Sequence, residues 1–230
     1  MLSFSFVVVL LIGILFMGLP VAFSLGGTSL VLIWLFELPM KVVGATIFTS
    51  LEGFVLLAIP LFVLMSQILL DGRIGDDLFD VMNAWVRHLP GGLAIATILA
   101  CAFFAAITGS GAATAATIGM VAYPAMTERG YDKRFTLGLL AAGGTLGILI
   151  PPSIPLILYG AITEESVGKL FIAGVVPGLV LTALFIVYAV YKSKRGGFTP
   201  MERTSWSDRL RVTRKNIWGI FLPFLIIGGI

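Results

Sequence analysis

The sequence predicts an all-α polytopic membrane protein in which transmembrane helices accompany a re-entrant helical hairpin and a proline-broken helix. Three observations carry this. Hydrophobic residues make up 58% of the 230-residue chain and charged residues 12%, with a mean hydropathy of +1.06; that is too little polar surface to cover a soluble globule. The apolar residues gather in long segments free of Asp, Glu, Lys and Arg. Two of those segments are interrupted, at Gly109-Ser110-Gly111 and at Ile150-Pro151-Pro152-Ser153.

The apolar segments run over 2–19, 20–36, 54–70, 93–126, 135–162, 170–191 and 216–230. A helix needs roughly 20 residues to cross the hydrocarbon, and most of these segments suffice. The 15 Lys and Arg lie between them: one at 41, two in 71–90, three in 127–134, one at 169 and eight in 192–215. By the positive-inside rule, 71–90, 127–134 and 192–215 are cytoplasmic. The loops near Lys41 and Lys169, and the N-terminus, are then external. This basic distribution is a topology signal and not a nucleic-acid surface. The single Cys101 lies in an apolar run and excludes an intrachain disulfide. The N-terminal run lacks a basic start and a cleavage site, so it reads as a retained anchor.

Both flanks of 93–126 are cytoplasmic, so this segment enters and returns. Its arms, Leu93–Thr108 and Ala112–Met126, have 16 and 15 residues, each short of a crossing, which favours a re-entrant hairpin with Gly109-Ser110-Gly111 at its tip. Irregular backbone at membrane depth needs protein or a wet cavity around it. The broken helix over 135–162 is the natural partner: Pro151 and Pro152 remove two amide donors and free carbonyls around Gly147 to Leu149.

From Arg73 to His88, Ile74, Leu78, Val81, Met82 and Trp85 recur at helical spacing, which predicts an amphipathic surface helix. The run 41–52 is a weaker case of the same kind. Trp34, Trp85 and Trp218 fall near interfaces. The organisation expected is scaffold-type helices in 1–92, a hairpin and broken helix in 93–162, a short external helix and a transmembrane helix in 163–192, a cytoplasmic loop over 193–215, and the start of a further helix at 216–230. The last segment stops short of a crossing, so the sequence is expected to continue, with a second half of an internal repeat beyond it.

Interrupted apolar segments are the sequence sign of a binding site at membrane depth. No ionisable side chain is available in the spans for a proton relay, but a hard cation can be held by hydroxyls and unwound carbonyls. The candidate cation ligands are Thr108, Ser110 and Thr114 from the hairpin, with carbonyls of Gly144, Thr145, Gly147 and Leu149 from the broken helix. Ser110 and Thr114 are four apart and share a helical face. The amides at the start of the second arm suit a carboxylate, which makes Ser110, Gly111, Ala112 and Thr114 candidate substrate contacts, with Pro152 and Ser153 behind them. Against this stands close packing: Gly143 and Gly147, four apart, suit a helix–helix contact. Ser66 and Gln67 read as packing groups, His88 as a loop residue without a catalytic role, and Asp76, Asp77 and Asp80 as a solvated face.

Gly91-Gly92-Leu93-Ala94, Ala105 to Gly119, Pro124-Ala125-Met126, Arg129-Gly130-Tyr131, Ala142 to Gly147, Ile150 to Pro155 and Leu170 to Gly174, in this order, resemble the large membrane subunit of tripartite ATP-independent periplasmic (TRAP) transporters, over the N-terminal half of such a subunit. The resemblance implies a multi-pass protein of the bacterial inner membrane, one half of an inverted-repeat transporter, and no enzyme. It implies sodium as coupling ion with no other cofactor, and an elevator motion. The partners it implies are a small four-helix membrane subunit and a periplasmic substrate-binding protein, and its substrates are small carboxylates of the dicarboxylic, keto or sialic acid classes. Gly111 departs from the polar residue that the family often has there, which leaves only a backbone carbonyl at that position.

Alternative readings are a sodium symporter for organic anions working without a binding protein, an ion channel, and an intramembrane serine protease. Thr145-Leu146-Gly147-Ile148 faintly resembles a potassium filter but lacks its last glycine. A protease would need a base near Ser110, and no His or Lys occurs in any span.

Overall fold

The computed structural model describes residues 2–51, 54–198 and 200–228. Among these residues the structure is helical throughout: α1 (Leu2–Phe16), α2 (Val21–Leu35), α3 (Lys41–Leu51), α4 (Phe54–Asp71), α5 (Ile74–Val86), α6 (Gly92–Thr108), α7 (Gly111–Glu128), α8 (Lys133–Leu149), α9 (Ile154–Thr163), α10 (Val167–Arg195), α11 (Trp206–Lys215) and α12 (Ile217–Gly228). The all-α polytopic class expected from composition is the one observed. The chain divides into two compact units, Met1–Gly53 and Phe54–Ile230.

In the first unit α1 and α2 pack on each other, with Gly18 at φ +80° in the turn and Pro20 preceding the first residue of α2. Pro20 fixes the entry to α2 because it has no amide to leave unpaired. Glu52, the end of the weaker surface-helix expectation, lies outside the described residues, as do 229 and 230 at the end of the last segment.

In the second unit, α8 and α9 together make one candidate span, Lys133–Thr163, and α10 makes another. The pair α4 and α5 has enough apolar length for one span but bends by 66° at Gly72-Arg73. Arg73 takes a left-handed φ of +56° there, which turns α5 away from α4 as an amphipathic helix must turn to lie along an interface.

The core surrounds α6, whose side chains are buried except at Leu99, Ala102 and Phe103. Leu78, Phe79 and Met82 of α5, Ile118 and Met126 of α7, and Leu139 and Leu146 of α8 close over it. Small residues on α6, among them Ala94, Ala100 and Ala105, let these neighbours approach. Outward-facing Ile172, Val176, Leu179 and Val187 of α10 remain exposed, the surface expected of a helix whose solvent is lipid.

Two expectations need correction. No separate short helix precedes the span in 163–192: α10 is one continuous helix of 29 residues containing Pro177. Ser166 starts it by accepting a hydrogen bond from the Lys169 amide at 3.5 Å. The 193–215 segment is not simply a loop either, because α10 runs into it and α11 forms within it. Trp206 of α11 meets Trp85 of α5 edge to face at 6.0 Å, and the Trp85 indole donates to Thr213 Oγ1 at 3.0 Å. The buried Arg209 lies over both indole rings. Aromatic and cation–π contact of this kind holds a polar helix that hydropathy alone reads as a linker.

Candidate functional site

The hairpin tip consists of Gly109 and Ser110. Gly109 closes α6 with φ +60° and donates its amide to Ala105 O. A Cβ at that position would also stand 2.6 Å from Pro152 O, so both conformation and space require glycine. Ser110 is extended and caps α7, its Oγ accepting from the Ala113 amide at 3.4 Å. The second arm therefore starts at Gly111, one residue before the expected Ala112, and the arms have 17 and 18 residues.

Thr108 and Thr114 face each other across the tip, and both are fully buried. Their Oγ1 atoms lie 3.3 Å apart. Thr108 Oγ1 reaches Phe104 O at 3.1 Å, and Thr114 Oγ1 reaches Ser110 O at 2.8 Å. When both hydroxyls donate to these carbonyls, each oxygen keeps acceptor capacity for a shared partner, with Thr108 Oγ1 also accepting from the Ser110 amide at 3.5 Å. Two ligands at right angles on a hard cation with bonds of about 2.4 Å stand about 3.4 Å apart, which the observed spacing matches.

The tip rests on the interruption after α8. The Ile154 amide donates to Gly109 O at 3.3 Å. A Cβ on Gly147 would lie 2.7 Å from the Ser110 carbonyl carbon, and one on Gly111 would lie 2.7 Å from Gly144 O. Thus Ser110, Gly111, Gly144 and Gly147 are brought together through backbone. Gly143 instead faces Cys101, whose Sγ would be 2.7 Å from an added Cβ. The glycine spacing thus serves close packing, as its four-residue interval suggests, while it also draws the Gly144 carbonyl to the tip.

The other candidates are placed differently. Thr145 is exposed and its hydroxyl donates to Ala142 O at 2.6 Å. Leu149 O stands against Gly174 of α10, 2.7 Å from where a Cβ would be, and so faces away from the threonine pair. Pro152 O lies beside Gly109, as its contact with a Cβ there shows. Ser153 is fully buried and its Oγ donates to Ile148 O at 2.6 Å. Pro152 has no amide to offer that carbonyl, and the Ser153 hydroxyl replaces it. Ala112 is exposed at the first turn of α7.

Ser66, which sequence reading assigns to packing, reaches this site. It is 6% exposed, and its hydroxyl lies 3.1 Å from Thr108 O and 2.8 Å from Phe62 O. One hydroxyl hydrogen serves one of these at a time, so α4 can release the Thr108 carbonyl without unfolding. A serine inside an apolar span was the available signal.

Two helix C-termini, of α6 and α8, and two N-termini, of α7 and α9, converge here. Partial negative charge from the first pair favours a cation, and partial positive charge from the second favours an anion. The fold and this site define a class: a polytopic membrane protein whose interior is organised around interrupted helices. A family model described as "Tripartite ATP-independent periplasmic transporter, DctM component" matches residues 8–230, and the chain belongs to that family. It is 40% identical over 225 residues to the C4-dicarboxylate TRAP transporter large permease protein DctM of Vibrio cholerae, covering 96% of this chain and 49% of the relative. For the protein of the same name in Pseudomonas aeruginosa the identity is 44% over 210 residues, covering 90% and 49%. The sialic acid TRAP transporter large permease protein SiaM of Vibrio cholerae is 31% identical over 220 residues, covering 95% and 52%. The chain spans about half the length of these curated relatives.

Proposed function

We propose that this chain supplies one half of the translocation pathway of a sodium-coupled uptake system for small organic acid anions. The system lies in the inner membrane, with the N-terminus of this chain on the periplasmic side. The observation that carries the reading is the buried Thr108–Thr114 oxygen pair, 3.3 Å apart at the tip of a hairpin seated on a helix break. The Gly144 carbonyl, which faces Gly111 from within α8, extends the oxygen set with that of Gly147 one turn nearer the break, and sodium is the coupling ion they suit. The α7 N-terminus meets the substrate carboxylate through the amides of Gly111 and Ala112, which have no helical acceptor at that position.

The hairpin is re-entrant in this reading. Its tip meets the chain at Gly109–Ile154, the first residue of the ten-residue helix α9, which carries the chain about 14 Å further at helical rise. A tip that stops partway along its neighbour lies within the membrane thickness. The hairpin and α8 move together as an elevator, since α6 and α7 pack on α8 far more closely than α6 packs on α4. A small four-helix membrane subunit and a periplasmic binding protein complete the assembly. The substrate class follows the relatives, which carry C4-dicarboxylate, sialic acid and 2,3-diketo-L-gulonate in their names.

The test is uptake by the complete assembly reconstituted in proteoliposomes. An inward sodium gradient should drive accumulation of a C4-dicarboxylate that saturates and shows counterflow. Uncoupled current without counterflow would identify a channel, and uptake at the full rate with the binding protein omitted would identify a symporter independent of it.

A further inference from the structure

A second site lies at the other end of the hairpin, where α6 begins. A cavity of about 60 Å³ is lined there by Arg87, Gly92, Arg129, Tyr131, Phe198 and Met201, among others. A water needs roughly 10–15 Å³ of such space, so the cavity has room for four or five atoms of that size. None of its lining side chains is acidic.

Three features give it one sign of charge. Arg87, at the end of α5, is half-buried, and its Nε is buried without a hydrogen-bond partner. Arg129 enters from the turn between α7 and α8. Among the described residues the ion pairs are Arg73–Asp76 and Arg211–Asp208, and neither cavity arginine takes part in one. The N-terminus of α6 forms the floor; the Gly92 amide donates back to Leu89 O at 2.8 Å, and because the cap residue Gly91 offers no side chain, the Leu93 amide that follows is left for a ligand. Tyr131 is 7% exposed, and burial raises its pKa against the lowering influence of Ser193 and Arg129, so the phenol adds no negative charge to the cavity. A half-buried guanidinium without a counter-charge is costly, and an anion in this cavity removes that cost.

Phe198, Pro200 and Met201, after α10, form a further wall. Phe198 stacks on Tyr131 at 4.0 Å with the rings 5° apart, and the Met201 amide donates to Arg87 O at 3.1 Å. The cavity is therefore built from four separate parts of the chain, and its occupant joins them.

We infer that this cavity binds a phosphate-class oxyanion, either a free phosphate or the headgroup of an anionic phospholipid, held between Arg87 and Arg129 at the N-terminus of α6. The tetrahedral set of four oxygens fits the volume, and two guanidinium groups are the donors that phosphate recognition favours. This site is independent of the transport reading.

The purified full chain in neutral detergent tests it by thermal shift, titrated separately with inorganic phosphate and with phosphatidylglycerol, and with phosphatidylcholine as the uncharged comparison. Wild-type protein should show a saturable rise in Tm with phosphate, phosphatidylglycerol or both; a rise with one alone identifies the source. Arg129→Gln, on an exposed loop residue, should weaken half-saturation about tenfold, as loss of one charge-assisted contact does, and Arg87→Gln with Arg129→Gln should abolish the shift. Arg211→Gln, outside the cavity, should leave it intact. Equal shifts in wild type and Arg129→Gln overturn the proposal, as does a wild-type chain that responds to neither probe. A larger response to succinate than to phosphate overturns the assignment to the phosphate class.

Discussion

The hydroxyl oxygens of Thr108 and Thr114 lie 3.3 Å apart on the two sides of the hairpin tip, with no exposure to solvent. Each also has a helix carbonyl within hydrogen-bond reach, so the pair can present lone pairs to a cation without leaving a hydrogen unpaired. Thr→Val keeps the shape and removes the oxygen. Thr108→Val and Thr114→Val should each raise the sodium concentration for half-maximal uptake by about tenfold or more, the scale of one lost contact to a charge. Thr→Ser at the same positions should stay near wild type. The measurement is sodium-dependent uptake in the complete assembly, and unchanged sodium dependence in both valine variants would remove these residues from the cation site.

Gly147 and Gly138 lie in the same helix and should respond oppositely to alanine. A Cβ at Gly147 meets the Ser110 and Gly111 backbone at 2.7–2.8 Å, whereas at Gly138 nothing lies within 4 Å. Overpacking against backbone costs about 1–3 kcal/mol, and alanine at an exposed helical position gains about 0.5–1 kcal/mol over glycine. Thermal denaturation in detergent should therefore show Gly147→Ala below wild type and Gly138→Ala at or above it.

The helices were legible because the hydrocarbon requires long uncharged runs. The segment 54–70 corresponds to α4 at Phe54–Asp71, and 135–162 corresponds to α8 with α9. The family was legible because several short strings fall in one order along the chain. The α11 helix was not, since Trp206 to Lys215 carries too much charge for a hydropathy reading, and its support comes from Trp85, far away in sequence. At the site, Ser110, Gly111, Gly144 and Gly147 were within reach of sequence because glycine and proline mark where helices break. The direction of Thr145 and of the Leu149 carbonyl was not, because it depends on which face of α8 meets α7 and which meets α10. Ser66 went unrecognised for the same reason: a hydroxyl in a span looks alike whether it satisfies its own helix or the next.

On α5 Asp80 is an exposed residue whose carboxyl is partly desolvated. That desolvation, with Asp77 and Asp76 adding like charge, raises its pKa above the ordinary carboxylate value. The native state therefore holds this proton to higher pH than the unfolded state does. Between the unfolded and native values the native state binds more protons, so this group makes stability fall as pH rises through that window. Asp80→Asn should flatten that part of the profile and leave the protein at least as stable at neutral pH. Tm measured from pH 4 upward for both proteins tests this; a wild-type Tm that rises through the same window relative to Asp80→Asn would reverse the sign.

Membrane topology separates a re-entrant hairpin from two crossings by one measurement, the accessibility of the tip. Both arrangements return the chain to the side it left, so Arg73→Cys and Lys133→Cys, at exposed positions flanking α5 to α7, should both react with an impermeant thiol reagent from the cytoplasm. Glu164→Cys, exposed after α9, should react from the periplasm. Cys101 is fully buried, and Cys101→Ala gives a silent background. Two full crossings would bring Ala112, exposed at the first turn of α7, to the outer surface, and Ala112→Cys would then react from the periplasm as fast as Glu164→Cys. A tip that stops at the α8–α9 break, with ten residues of α9 still beyond it, keeps position 112 below the headgroups. Ala112→Cys should then react far more slowly than Glu164→Cys from the same side, and under the proposed cation site its rate should change when sodium is added to the complete assembly, since Thr114 is two residues away.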